Sequence, residues 1–580
     1  MPGGTLTLES AGDSNAILNG NPKKSFFKAV YAKHANFGIQ KYRVDFDGAK
    51  QLRLTEPSTF SFKIPRYADL LTETYFVLTL PTIWSPICVT DSTNPDLARC
   101  QPYEFKWIEN LGSQAIQTVR IRFNDQVIQE FTGQYLLNMM QRDFTKAKRG
   151  LFDEMTGNTA ELNDPANFNN RNGNYPNASY NNFTKTEWPN GVEPSIRGRK
   201  IYVPLNTWFS LLSTSALPLV SLQYTEVVIE ITCRPIVELF VVRNVAQYIS
   251  QDSTSTAFVP YTWPDPIGTY YNLYYFLYEP PEGTVGITGT YLDDLLYPLK
   301  RTDWAADVHL LCSYVYLDDE QVRDFALNAQ SYLIKEVHER DYYNIVAVKE
   351  ILQKFDTIGL VVSWMWFFQR SDVNRRNEWS NYSNWDYDYM PFPGTSYLDV
   401  SANPDNPFYV QPGLPLYPSN GQLCSVYLTG PQHIENTQEI MTSWGLVFDR
   451  TVRETTYDAG NVNYLEQYLR SHGNTRTGLY SYNFCVDTDP FKYQPSGAIN
   501  LSKFDMVGFE FTTIEPPDIS GAIYVSTLCN FVSPGEAGAA IATNKPAWAQ
   551  YKYSYNLHIM EERYNLLMIE NGVGALALAR

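Results

Sequence analysis

Apolar and polar residues alternate with a period of two in many short stretches of the chain. Phe60, Phe62 and Ile64 share one face of residues 59–64, and Phe76, Leu78 and Leu80 share one face of residues 75–80, the pattern of half-buried β-strands. Residues 119–123 and 127–131 flank Asn124 and Asp125, which tolerate left-handed backbone and so predict a tight hairpin. Further strands are predicted over 227–231, 309–317, 359–368, 479–486, 505–513 and 523–528. A period near 3.6 is confined to 134–144, 319–329 and 462–469, each an amphipathic helix of about three turns. Because strands and helices do not alternate, a parallel α/β enzyme fold is disfavoured. An all-β chain of sandwiches of the jelly-roll kind is expected instead.

Three stretches interrupt the pattern and read as loop elaborations on one face of the molecule: 151–198, rich in Asn, Gly and Pro; 241–303, with turns such as Glu279-Pro280-Pro281-Glu282-Gly283; and the proline-rich 371–422. The longest apolar run, 358–368, falls short of the roughly 20 residues needed to cross a bilayer, so it reads as a buried strand.

Composition narrows the chemistry. The aromatic content of 15%, spread along the chain, suits pleated surfaces. A formal charge of −17 argues against wrapping nucleic acid as the main task, and no direct genome binding is expected. The basic run at Lys146, Lys148 and Arg149 reads as a solvated face. Cys88, Cys100, Cys233, Cys312, Cys424, Cys485 and Cys529 form no metal knuckle or redox pair, so free buried thiols are expected. The N-terminus lacks the charged and apolar regions of a secretory signal, which suggests folding in a reducing cytoplasm. The six histidines are dispersed without metal-ligand spacing, and neither a metal nor a cofactor is expected.

Two motifs read as turns. In Gln494-Pro495-Ser496-Gly497, proline presets one torsion and glycine can take a positive one, whereas Ser496 lacks the strand-turn-helix setting of a nucleophile. The string from Gly572 to Ala577 formally fits a dinucleotide fingerprint but has no βαβ unit after it, so it reads as a strand-to-tail turn. Asn177, Asn182 and Asn381 satisfy the glycosylation sequon in loops predicted to be exposed.

Several segments, in order, resemble the double jelly-roll major capsid proteins of nucleocytoplasmic large DNA viruses. Asn19-Gly20-Asn21-Pro22, with Phe26, Phe27 and the residues through Phe37, is similar to the family's opening segment. Residues 64–70, containing Pro65, Arg66 and Asp69, resemble its first sheet strands, and Leu217 to Val227, containing Gln223 and Tyr224, resembles another recurring stretch, with Thr225 where the family has His. Tyr314 to Asp318 and the helical residues after it resemble the end of the first roll. Gln494, Pro495, Ser496 and Gly497 match the most specific motif, and 555–576 resembles the closing strand and tail.

The resemblance implies two consecutive eight-stranded jelly rolls: an N-terminal arm over 1–24, a first roll over 25–318 carrying insertions 151–198 and 241–303, a helical linker over 319–330, and a second roll over 331–580 carrying insertion 371–422. It implies a structural role without enzymatic activity, in which the chain trimerises into pseudo-hexagonal capsomers that tile an icosahedral shell. The implied partners are other copies of the chain, minor capsid and penton proteins, and the internal viral membrane surface near Lys23, Lys24, Lys28 and Lys33. The implied location is the virion capsid, assembled in the host cytoplasm. Alternatives are a less abundant double jelly-roll paralogue and, from another class, a carbohydrate-binding β-sandwich.

Overall fold

The computed structural model describes Ile17 and residues 20–85, 87–89, 100–171, 174–180, 191–244, 273–279, 303–345, 351–385, 437–515 and 553–578, positions 30, 47 and 356 excepted. Asn182, the strand predicted at 523–528 and most of the loops 241–303 and 371–422 lie outside the described residues, as does most of the 1–24 arm.

The first roll consists of β1 (Phe37–Asp45), β2 (Ser58–Lys63), β3 (Leu70–Thr79), β4 (Ile116–Phe123), β5 (Gln126–Thr132), β6 (Lys200–Pro204), β7 (Val227–Cys233) and β8 (His309–Leu317). They form two antiparallel sheets, in the orders β1-β8-β3-β6 and β2-β7-β4-β5. The second roll consists of β9 (Gln330–Ile345), β10 (Ile351–Phe355), β11 (Leu360–Arg370), β12 (Met441–Phe448), β13 (Thr451–Asp458), β14 (Leu479–Asn483), β15 (Val507–Thr513) and β16 (Tyr555–Glu570). Its sheets run β9-β16-β11-β14 and β10-β15-β12-β13. Adding eight to each strand of the first roll reproduces the second: the chain is one jelly-roll topology used twice.

The helices fall at related places. The turn from β5 leads into α1 (Gly133–Asp143), followed by α2 (Lys146–Thr156). Between the rolls lies α3 (Asp319–Leu327), and β13 runs into a wide turn, Asn461–Leu465, continuous with α4 (Glu466–Arg470). The hairpin predicted at Asn124 and Asp125 is present, with Asn124 at φ +53°. The helix α2, where loop was expected from 151 onward, ends at Gly157 in left-handed conformation.

Each roll has its own core. Phe60, Phe62, Phe76, Phe105, Trp107, Ile121 and Leu310 fill the first. In the second, Trp366 stacks on Trp444 at 5.5 Å between centroids and meets Phe509 edge-on at 4.9 Å. The apolar run in β11 follows from burial of both its faces. Trp364, Trp366 and Phe368 point into the second roll's core, whereas Met365 and Phe367 join the first roll's cluster together with Met560, Leu567 and Ile569. A strand with no solvated face has no reason to alternate.

Candidate assembly surfaces

The rolls are fastened along a seam built from β5 and α1 on one side and the outward face of β9, β16 and β11 on the other. Thr132 caps α1 by accepting from the Tyr135 N–H at 3.1 Å, and its own hydroxyl donates to Glu339 in β9 at 2.9 Å. The Thr132 N–H also donates to Glu339, and the Gln129 side chain donates to the Lys335 carbonyl at 3.0 Å. Burial raises the Glu339 carboxyl to about 7, outweighing the Thr132 donors that favour its charge.

Further along α1, Arg142 is 1% exposed and sits among charges from both rolls. Its guanidinium donates to Asp143 at 2.9 and 2.8 Å, to the Ser363 hydroxyl at 3.0 Å and to Glu562 at 2.8 Å. Tyr135 donates to Glu562 at 2.8 Å, and Lys335 lies 4.0 Å from the same carboxylate. Burial opposes ionisation of Glu562, but Arg142 and Lys335 hold it below the ordinary carboxylate range. For Asp143 burial wins over Arg142 and its titration moves up. Thr488 donates to Asp143 at 2.6 Å, tying in the loop after β14.

A cavity of about 310 Å³ opens beside this network, bounded by Arg142, Lys335, Glu562 and Trp208 as well as by Gln494, Pro495 and Ser496. The Gln494–Gly497 motif therefore lies on the seam. Ser496 donates to the Asp487 carbonyl at 2.5 Å and accepts from the Asp487 N–H at 3.1 Å, and Gly497 takes φ +130°. These bonds make it a turn pin.

Another group of sequence-singled residues forms a clasp at the other end. Arg66 donates to the carbonyls of Leu222, Gln223 (3.0 Å) and Thr225 (2.9 Å), fixing the loop before β7. The Pro65 carbonyl accepts from Tyr314, and Asp69 accepts from the Leu317 N–H at 2.9 Å. The loop so held grips the second roll. The Tyr224 N–H donates to the Gly572 carbonyl at 2.9 Å, and the Thr225 hydroxyl reaches the same carbonyl and the Gly574 N–H at 3.2 and 3.3 Å. Gly572, at φ +82°, turns β16 into β17 (Val573–Leu576), and a Cβ there would lie 2.5 Å from the Tyr224 ring. The tail motif is thus a two-residue hairpin clasped by the other roll.

Several expectations need correction. Lys148 and Arg149 are not merely a solvated face: Lys148 lies 3.1 Å from the centroid of the Phe491 ring and Arg149 donates to the Asn474 carbonyl at 2.8 Å, both in the second roll. Asn381 is buried rather than exposed, donating to the Trp385 carbonyl and accepting from Ser383. Asn177 is half-buried beside Ser85. The first part of the 371–422 loop hooks into the first roll, with Asn377 donating to the carbonyls of Val237 and Phe240 and Trp379 to that of Glu238. Phe26 and Phe27 are almost fully exposed and make no part of the seam. Arg142, Glu339 and Glu562 carry no local signal, because their partners lie hundreds of positions away.

Two sandwiches of identical strand order, welded through a buried seam, define a double jelly-roll protein of the capsid type. Residues 25–318 match the family described as major capsid protein N-terminus, and the chain belongs to that family. It is 27% identical over 350 residues to the major capsid protein of Phaeocystis pouchetii virus, covering 58% of this chain and 53% of that protein. The chain thus matches only about half the length of that relative. It is 22% identical over 564 residues to the probable capsid protein 4 of Acanthamoeba polyphaga mimivirus, covering 88% of this chain and 92% of the other. The fold is similar to the crystal structure of PBCV-1 VP54, with a TM-score of 0.56 at 17% identity over 96% of this chain and all of that one. The Faustovirus major capsid protein gives a TM-score of 0.53 at 12% identity over 98% and 96%.

Proposed function

We propose that three copies of the chain associate into a capsomer of six jelly rolls with a near-hexagonal outline, and that this capsomer tiles the icosahedral shell of a large double-stranded DNA virus. The observation that carries the reading is the double use of one strand order, fastened through a buried seam. A rigid pair of similar units, joined head to tail, suits a closed ring with pseudo-sixfold shape. The chain then works by repetition of shape and catalyses no reaction. The arm (1–24), first roll (25–318), linker (319–330) and second roll (331–580) are its parts. Gln494–Gly497, Pro65, Arg66, Asp69, Gln223 and Tyr224 serve as structural pins. Minor capsid and penton proteins, and the internal membrane near the N-terminal lysines, are its further partners, met during assembly in the host cytoplasm.

Light scattering on the purified chain tests the reading. A trimer that negative-stain microscopy shows as a hexagonal outline supports it, and a monomer at all concentrations overturns it. A second reading, that the chain is a less abundant capsid paralogue, is favoured by the near full-length match to a protein named probable capsid protein 4. Counting copies in purified virions by mass spectrometry separates the two.

A further inference from the structure

The cavity at the seam takes its walls from both rolls. Trp208, Leu211 and Leu212, between β6 and β7, stand on one side, and Tyr332 and Leu333 of β9 with Tyr493 of the loop after β14 stand on the other. Trp208 is buried, whereas Leu333 and Tyr493 reach solvent. The space is therefore lined by aromatic and aliphatic side chains and open at one end.

Most charges on its wall are already engaged. Arg142 binds Asp143 and Glu562, and the Ser363 and Tyr135 hydroxyls complete the shell of Glu562. Asp487 holds Lys492 and lies 3.2 Å from His472, and Asp489 accepts from the Phe491 N–H at 2.9 Å. Lys335 is different. Its ammonium has three protons to donate, yet the acceptors around it among the described residues are the Thr488 carbonyl at 3.5 Å and Glu562 at 4.0 Å, both too distant for a good hydrogen bond. Its side chain is 26% exposed, so a ligand in the cavity can reach it. Tyr564 stands directly opposite Lys335 in the register of β9 and β16 and lines the same cavity. Burial raises its hydroxyl to about 12, which keeps it a neutral donor. An under-used ammonium beside a neutral hydroxyl, in a cavity with apolar walls, is an arrangement that receives an amphiphile.

The head group follows from the charges. One cation and one neutral donor match a single negative charge. A cationic head would be repelled by Lys335, and a doubly charged phosphate would bring a second charge towards Glu562 with no free cation to offset it. The tail follows from size. A volume of about 310 Å³ is on the order of ten water volumes, room for one unbranched chain of about ten carbons.

We propose that the seam cavity binds a medium-chain fatty acid, with its carboxylate held by Lys335 and Tyr564 and its chain laid against Trp208, Leu211, Leu212 and Tyr493. Because these walls belong to different rolls, the ligand is a third fastening of the seam, beside the Arg142 network and the Tyr224 clasp, and its concentration sets how firmly the rolls are joined.

Calorimetric titration of the full chain with decanoate, kept below its micelle concentration, tests the site, and decyltrimethylammonium presents a similar tail under the opposite charge. Decanoate is expected to bind once per chain and to move the first unfolding transition to higher denaturant; the ammonium compound is expected to do neither. Lys335→Met keeps an apolar stem without the charge and should weaken decanoate about tenfold or more, whereas Lys335→Arg should retain it. Tyr564→Phe deletes one oxygen and should cost about threefold to tenfold. Leu212→Glu, on the wall given by the first roll, should abolish binding. Lys335→Met also takes a cation from Glu562, so circular dichroism checks its fold, and Tyr564→Phe and Leu212→Glu leave that network intact. Absence of decanoate binding, equal binding of both amphiphiles, or wild-type affinity in a folded Lys335→Met, in Tyr564→Phe or in Leu212→Glu overturns the proposal.

Discussion

Replacing Arg142 by Met removes a cation that is hydrogen-bonded to two buried carboxylates at the seam. The guanidinium gives up hydrogen bonds to Asp143, Ser363 and Glu562, and only Lys335, 4.0 Å from Glu562, remains to offset the charge. With Arg142 and Glu562 each 1% exposed, water cannot enter to compensate without opening the seam. Breaking such a pair by deleting one partner costs about 3–5 kcal/mol, whereas neutralising all members together costs far less. Arg142→Met/Asp143→Asn/Glu562→Gln should thus recover most of what Arg142→Met loses. The assay is guanidinium denaturation followed by tryptophan fluorescence, read at the first transition because a chain of two rolls need not unfold as one unit. The pH dependence supplies a sign. In the wild type the Glu562 titration is depressed, so its contribution is present above the ordinary carboxylate range and is lost as pH falls through the depressed value. In Arg142→Met burial is opposed only by Lys335 and the Ser363 and Tyr135 hydroxyls, so that titration moves up from its depressed value and less stability is lost on acidification than in the wild type. A variant within about 1 kcal/mol of wild type at neutral pH, or one whose stability declines on acidification as steeply as the wild type's, refutes this account of the seam.

Other consequences are as specific. Glu339 titrates at about 7 in the folded chain against 4.5 ordinarily, so the native state holds the extra proton and stability falls as pH rises from about 4.5 through about 7. Melting temperatures of Glu339→Gln across that window should show a flatter curve than wild type, and parallel curves would contradict it. Gly572→Ala places a side chain at φ +82° against Tyr224 and should loosen the clasp by about 1–2 kcal/mol, seen as faster hydrogen exchange of the Tyr224 amide. Trp366→Ala removes the ring that meets both Trp444 and Phe509 and should cost the second roll about 3–5 kcal/mol in denaturant titration. Peptide mass spectrometry of virion protein should find Asn381 without sugar, since its amide is committed inside the fold; a glycan there would show that the 371–385 hook opens before modification.

Strands with one wet face and one dry face were legible from alternation, and β2, β3, β4, β5, β7 and β15 lie where the pattern put them. Strands in other settings were not. β9 carries Lys335, Glu336, His338, Glu339, Arg340 and Asp341 and reads as a polar segment, because its outward face meets a charged seam instead of an apolar core. β13, at an edge, is wet at every residue but Glu454. β11 was visible as a run, but not which of its residues serve which roll. The turn at Gln494–Gly497 was readable from its own chemistry, whereas Arg142 and Glu562 stand 420 positions apart and meet only once the rolls do. Lys148 and Arg149 looked like solvated charge for the same reason: nothing nearby in the chain announces Phe491 or Asn474.

The place of β16 has a consequence for how the molecule is made. It is made some 420 residues after α1, yet it lies between β9 and β11, which bond to each other only through it. Glu562, the charge that answers Arg142, rides on it. At roughly 5–20 residues per second, a ribosome that has finished α1 takes on the order of 20–90 seconds more to release the strand that will cover it. Throughout that interval Arg142, Met139 and Leu136 wait without their shelter, and neighbouring chains on the same message offer similar unfinished surfaces. Synthesis of this protein is accordingly a race between completion of one chain and mispairing of two, and it is most exposed to loss when messages are crowded.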